Sequence, residues 1–196
     1  SFEEYRRTVD VLVRAGVIED ATKIWWDLRP SARFPTLEMR VTDVCTRMED
    51  ALAIAALYVC SVRMLYRLRR ANQSWRLYPA FLIEENRWRA QRYGVDGTLF
   101  DLGKGELVPF VDLVEELLVL VAEDARALGC EAEVERARAI AAEGTSADRQ
   151  LRKLDELIKA GASREEALAG VVDMLIAETV EGTPAGAVAE AQSAPA

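Results

Sequence analysis

Two pairs of residues have the types and the spacing for chemistry on a phosphoryl group: Asp27-x-Arg29 and Glu38-x-Arg40. Each lies in a run that alternates large apolar with polar side chains, from Ile24 to Pro30 and from Thr36 to Asp43. Period two marks a strand, and it places Glu38 and Arg40 on one face about 7 Å apart along the chain. A carboxylate there can hold Mg2+ against phosphate oxygens, while the arginine grips the same phosphoryl group with its bidentate fork. The pattern also has a plain structural reading. Opposite charges facing each other across a hairpin often form a solvated sheet surface contributing about 0.5 kcal/mol per pair.

Those side chains need a hairpin to position them. Ser31 to Pro35 is too short for a parallel crossover and long enough for an antiparallel connection. Ile24, Trp26, Leu28, Leu37, Met39 and Val41 then form a greasy face, and Asp27, Arg29, Glu38 and Arg40 lie on the other. The rest of the chain reads as helices. Tyr5, Val9, Leu12 and Val13 recur at helical spacing before Gly16. Thr46 and Glu49 have capping-box spacing and open the longest helix, to about Ala71, with Ala51, Leu52, Ala55, Tyr58, Val59, Val62 and Leu65 as its apolar face. Arg63, Arg67, Arg69 and Arg70 suit the negative end of that helix.

Pro79 and Gly94 bracket a second helix, in which Glu85, Arg89 and Arg92 form either an intrahelical ion-pair row or, with Asn86, a set of contacts to phosphate or carboxylate. Thr98–Leu102 and Glu106–Val108 form a small hairpin, and helices follow over Pro109–Leu128 and Glu131–Ala142. Capping boxes at Thr145/Asp148 and Ser163/Glu166 open two more, the second running to Ala177, and a low-complexity tail expected to be disordered starts at Gly182. The expected class is α+β and mostly helical, with residues 1–181 as one unit.

Composition removes several function classes. A net charge of −8 and a pI near 4.8 speak against a nucleic-acid partner, which needs a basic face. The sequence has no histidine, so no Ser-His or Cys-His nucleophile forms within it. Cys45, Cys60 and Cys130 show no metal-binding spacing and read as reduced thiols, which points to the cytoplasm. No wholly apolar run reaches about 18 residues, so no membrane partner is expected. Gly103-Lys104-Gly105 lacks the spacing of a phosphate-binding Walker loop.

The run from Trp26 through Pro30 to Thr36-Leu37-Glu38-Met39-Arg40-Val41-Thr42-Asp43 resembles the carboxylate–amine ligase family, known as glutamate–cysteine ligase type 2, within the glutamine-synthetase-like superfamily. Three further blocks match in order: Glu84 to Gly94, Val121 to Cys130, and Gly144 to Gln150. The resemblance implies ATP-dependent amide-bond formation through an acyl phosphate, with ATP and Mg2+ as cofactors and a glutamate-like carboxylate and an amine as substrates. It implies Glu38 and Asp27 as metal ligands, Arg40 and Arg29 as catalytic arginines, and Arg40, Asn86 and Arg89 at the nucleotide. Family members are about twice as long. The chain is therefore expected to be a C-terminal half, inactive alone, whose partner is the N-terminal half that supplies most of a glutamine-synthetase-like active-site sheet. The unpaired hairpin edge further suggests a homo-oligomer. Ser31 stands where some relatives carry histidine, which leaves the loop through Arg33 without an assigned role. A second reading remains open: a non-catalytic helical binding or assembly module that keeps the family scaffold.

Overall fold

The structure, a computed structural model, describes residues 2–183, and the low-complexity tail from residue 184 on lies outside them. The chain divides into two compact units that meet in sequence between Val44 and Cys45. The expectation of mostly helical α+β is met, and the small hairpin expected near Thr98 forms as a second antiparallel pair beside the first.

The first unit opens with helix α1 (Phe2–Arg14), which buries Val9. Gly16, at φ 70°, ends it: its N–H reaches the carbonyl of Val13, and the Val17 N–H reaches that of Leu12. A 3-10 turn at Ala21–Lys23 is capped by Asp20, whose Oδ1 accepts from the Thr22 N–H at 2.7 Å. Strands β1 (Leu28–Pro30) and β2 (Leu37–Met39) pair antiparallel, with Arg29 opposite Glu38. Both strands are shorter than the alternating runs suggested.

Burial does not follow the expected faces. Ile24 is buried, but Leu28 and Leu37 are exposed, whereas Arg29 is only 7% exposed. The cause is the Arg29 guanidinium, whose Nη1 donates to the carbonyls of Thr22 (2.7 Å) and Ile24 (2.8 Å), drawing that segment over the polar face.

In the second unit, α2 (Met48–Arg70), α4 (Phe110–Leu128) and α5 (Glu131–Glu143) form the core. Ala56, Cys60 and Met64 of α2 meet Val114, Leu118, Val121 and Ala125 of α4 and Val134 and Ala137 of α5. This corrects the face expected of α2. Leu52, Val59 and Leu65 are exposed, because small residues let α2 approach its neighbours closely and the larger ones fall on the opposite side. α2 is also long and apolar enough to cross a membrane by length and composition, although charged residues interrupt its apolar runs.

The Thr46/Glu49 capping box does not form. α2 starts one residue later, with Arg47 at the N-cap, and the Thr46 hydroxyl is turned elsewhere: it donates to Glu178 at 2.7 Å and accepts from Arg149 Nη2 at 3.3 Å. Helix α3 (Ala80–Tyr93) follows Pro79 and ends at Gly94, and β3 (Thr98–Asp101) pairs with β4 (Glu106–Pro109). Helices α6 (Ser146–Lys159) and α7 (Arg164–Val180) both carry the expected capping boxes.

Candidate active site

The first-unit hairpin gathers Arg29, Glu38 and Arg40 around one carboxylate oxygen. Glu38 Oε2 accepts from Arg29 Nη2 at 2.7 Å and from Arg40 Nε at 3.0 Å, and Arg40 Nη2 lies 2.9 Å away. The period-two spacing puts both glutamate and arginine of β2 on this face, and the register brings Arg29 across from β1. Hydrogen bonds from Arg29 and then Arg40 hold the Glu38 carboxyl below its ordinary value of 4.5, so it stays ionised at neutral pH. Its second oxygen, Oε1, takes no hydrogen bond among the described residues.

The two arginines differ in freedom. Arg29 is committed to three acceptors: Glu38 and two backbone carbonyls. Arg40 is about one-third exposed and lies over the ring of Trp25, 5.1 Å from its centroid, while Trp25 itself is 79% exposed. Asp27 enters the hairpin through its backbone, its carbonyl accepting from the Arg40 N–H at 2.7 Å.

A cavity of about 360 Å³ opens beside Glu38, lined among others by Thr22, Arg29, Ser31, Arg33, Phe34 and Glu38. No group of three or more Asp, Glu, Cys or His residues close enough to share a metal occurs among the described residues. Glu38 Oε1 is thus a single carboxylate oxygen here, and a Mg2+ ion held by it would need its other oxygen ligands from outside this group.

Asn86 and Arg89 lie in the second unit, and their polar atoms engage β3. Asn86 Nδ2 donates to the Phe100 carbonyl at 2.8 Å and its Oδ1 accepts from the Phe100 N–H at 2.7 Å. Arg89 donates through Nε to the Thr98 carbonyl and through Nη2 to its hydroxyl, both at 2.8 Å.

The second unit also carries two buried charge clusters that the reading of the sequence missed. Asp124, fully buried on α4, receives Arg63 and Arg67 of α2, with Arg67 Nη2 at 2.9 Å from Oδ2. These arginines had been assigned to the helix end alone. The signal was there: Asp124 falls three residues after Val121, on the core side of α4. The second cluster joins Arg149 of α6 to Glu178 of α7 (2.8 Å) and Asp50 of α2 (3.5 Å). A shallow cleft of about 700 Å³ beside it is lined by Arg47, Arg152 and Lys153 as well.

Comparison with known proteins identifies the family. The family model described as glutamate–cysteine ligase family 2 matches residues 1–174. A protein of Rhodospirillum rubrum named "Putative glutamate–cysteine ligase 2" is 64% identical over 189 residues, which are 95% of this chain and 49% of that protein. Proteins of the same name from Jannaschia sp. and Sorangium cellulosum are 55% and 47% identical, over 90% and 93% of this chain and 46% of each relative. The chain thus spans about half the length of the curated relatives it matches.

Proposed function

Because the chain belongs to glutamate–cysteine ligase family 2, we propose that it is the C-terminal half of an ATP-dependent carboxylate–amine ligase, and that its hairpin supplies one carboxylate and one mobile arginine to the phosphoryl-transfer site. Joining a carboxylate to an amine is uphill at neutral pH, and ATP supplies the activation by converting the carboxylate to an acyl phosphate. Such a transfer asks the protein for charge neutralisation and in-line positioning, and for no histidine or thiol nucleophile.

The observation that carries the reading is the arrangement at Glu38: an ionised carboxylate with one oxygen bound by two arginines and the other without a hydrogen bond among the described residues. Glu38 Oε1 is the oxygen available to Mg2+. Arg29, buried and bound to the Thr22 and Ile24 carbonyls, fixes the carboxylate in place. Arg40, partly exposed, exchanges its bond to Glu38 for an oxygen of the transferred phosphoryl group. Asp27 lies one strand away and serves as a further metal ligand. Asn86 and Arg89, whose polar atoms bond β3, are kept in this reading as contacts of the nucleotide.

The remaining ligands, the rest of the sheet and the amine site belong to the other half of the enzyme, which acts in the cytoplasm as a homo-oligomer. The test is Mg2+-dependent ADP release by the full-length protein with glutamate and cysteine, wild type against Glu38→Gln. Loss of turnover with the fold intact supports the assignment. Equal turnover in both returns the hairpin to a charged surface and favours the non-catalytic module.

A further inference from the structure

Trp25 and Trp26 adjoin in the segment leading into β1 and are held in different ways. Trp26 meets Tyr5 of α1 edge to face, with ring centroids 5.7 Å apart, which is a packing contact. Trp25 pairs with no aromatic ring among the described residues, and its ring partner is the guanidinium of Arg40. The Trp25 side chain is the more exposed of the two, and an indole so exposed gains little from burial. Its contact with Arg40 is what remains to account for an aromatic ring at this position.

Arg40 is gripped in two ways. Its Nε and Nη2 both face Glu38 Oε2, which engages one edge of the guanidinium. The Trp25 ring lies beneath the carbon at the centre of the same group. The two grips differ in what they consume. A hydrogen bond to Glu38 occupies N–H donors that a phosphoryl oxygen would need, whereas the ring quadrupole attracts the cation and takes no donor.

We propose that Trp25 is a positioning residue for Arg40: its indole holds the guanidinium in place while the N–H edge turns from Glu38 to the transferred phosphoryl group. The proposal rests on the ligase reading above. Among the described residues the Arg40 side chain donates to Glu38 and to no backbone carbonyl, so releasing Glu38 would leave it only the ring. A long arginine side chain set free has much rotamer freedom to lose again at the transition state. An indole turns about two side-chain torsions and makes a stiff platform against that loss. Arg29 needs no such platform, because the Thr22 and Ile24 carbonyls already fix it.

The test uses the full-length protein with Trp25→Phe, which keeps an aromatic face, and Trp25→Leu, which keeps apolar bulk without one. Trp25→Leu should lower kcat for ADP release with glutamate and cysteine about fivefold, the size of a partly exposed cation–π contact. KM for both substrates should hold within about twofold, since the contact acts on the transition state. Trp25→Phe should keep most of the wild-type rate, and neither variant should shift the melting temperature. In an Arg40→Ala background Trp25→Leu should have no further effect, because its contribution passes through that arginine. Equal losses in Trp25→Phe and Trp25→Leu, a loss that persists without Arg40, or an unchanged rate in Trp25→Leu would overturn the proposal. If the wild type shows no turnover, or Arg40→Ala costs nothing, the ligase reading fails first. The Arg40 Nε–H resonance then decides whether Trp25 positions the guanidinium. A ring-current shift of that proton in wild type, kept in Trp25→Phe and lost in Trp25→Leu, supports it, and a resonance that Trp25→Leu leaves unmoved sinks it.

Discussion

Arg29 stands opposite Glu38 in the β1–β2 register, and its guanidinium bridges that carboxylate to the carbonyls of Thr22 and Ile24. One buried arginine therefore ties the catalytic candidate to the turn before β1. Arg40, on the other side of the same oxygen, has no such backbone anchors. The two arginines should fail differently. Arg29→Lys replaces a fork spanning three acceptors by a point charge, and should loosen the hairpin and lower stability together with activity. Arg40→Ala should leave the melting temperature unchanged and lower kcat of the full-length protein by about 100-fold or more, as expected for loss of a charge aimed at the transition state. Melting curves and steady-state rates for both variants check this, and equal stability losses would contradict it.

The elements that could be read from the sequence are those decided locally. Ser163 and Glu166 form their capping box, and so do Thr145 and Asp148, because each needs only its own four residues. Gly129 takes the left-handed conformation that ends α4 for the same reason. Thr46 and Glu49 have the same spacing and fail, since two residues far along the chain engage the Thr46 hydroxyl: Arg149 donates to its oxygen and Glu178 accepts its hydrogen. The shared face of Arg29, Glu38 and Arg40 was legible, because strand alternation is local; the register that sets Arg29 opposite Glu38 was not. Nor was the burial of that face, because it depends on where the Arg29 side chain finds acceptors. The apolar side of α2 was misread similarly: both sides are apolar, and only the fit to α4 and α5 selects Ala56, Cys60 and Met64.

Arg149 and Glu178 are both more than nine-tenths buried and share two hydrogen bonds, at 2.8 and 3.2 Å. Removing one partner strands a buried charge. Glu178→Ala should cost about 3 kcal/mol in denaturant unfolding. The double variant Arg149→Met, Glu178→Leu should recover much of that loss, because Asp50 keeps Arg136 at 3.0 Å and Arg47 keeps Glu143 and Glu181 once both of these charges are gone. A double variant no more stable than Glu178→Ala would show that packing, rather than the stranded charge, dominates.

Acid should act on the same unit through Asp124 and Glu178. Burial alone would raise the Asp124 carboxyl, but Arg67 and Arg63 outweigh it and hold it below its ordinary 3.8. For Glu178, burial is likewise outweighed, by Arg149, Thr46 and Arg47, which hold it below 4.5. A carboxyl with a depressed value in the folded state contributes stability that is complete above its unfolded value and disappears as the pH falls through the folded one. Stability should therefore be flat near neutrality and fall below about pH 4. In Asp124→Asn that acid-induced fall should be shallower, from a lower starting stability, as followed by circular dichroism against pH. An equally steep fall in the variant would remove Asp124 from the account.

Cys60 and Cys130 bring their sulfurs to 3.5 Å, one from inside α2 and the other from the residue preceding α5. Burial, and then the neighbouring Cys130, push the Cys60 thiol up to about 12, so little thiolate forms at that position in neutral solution. Cys130 and Cys45 are only half-buried. Alkylation with iodoacetamide at pH 8 should therefore label Cys45 and Cys130 well before Cys60, and Cys60 should react only on the timescale of unfolding. Peroxide should oxidise Cys130 first, to a sulfenic acid that the Cys60 sulfur condenses with to give a disulfide and water. Peptide mapping by mass spectrometry would show the 60–130 link in wild type and a persistent Cys130 sulfenic acid in Cys60→Ser. Labelling of Cys60 as fast as Cys130 in the folded protein would contradict the packing of α2 against α4 and α5.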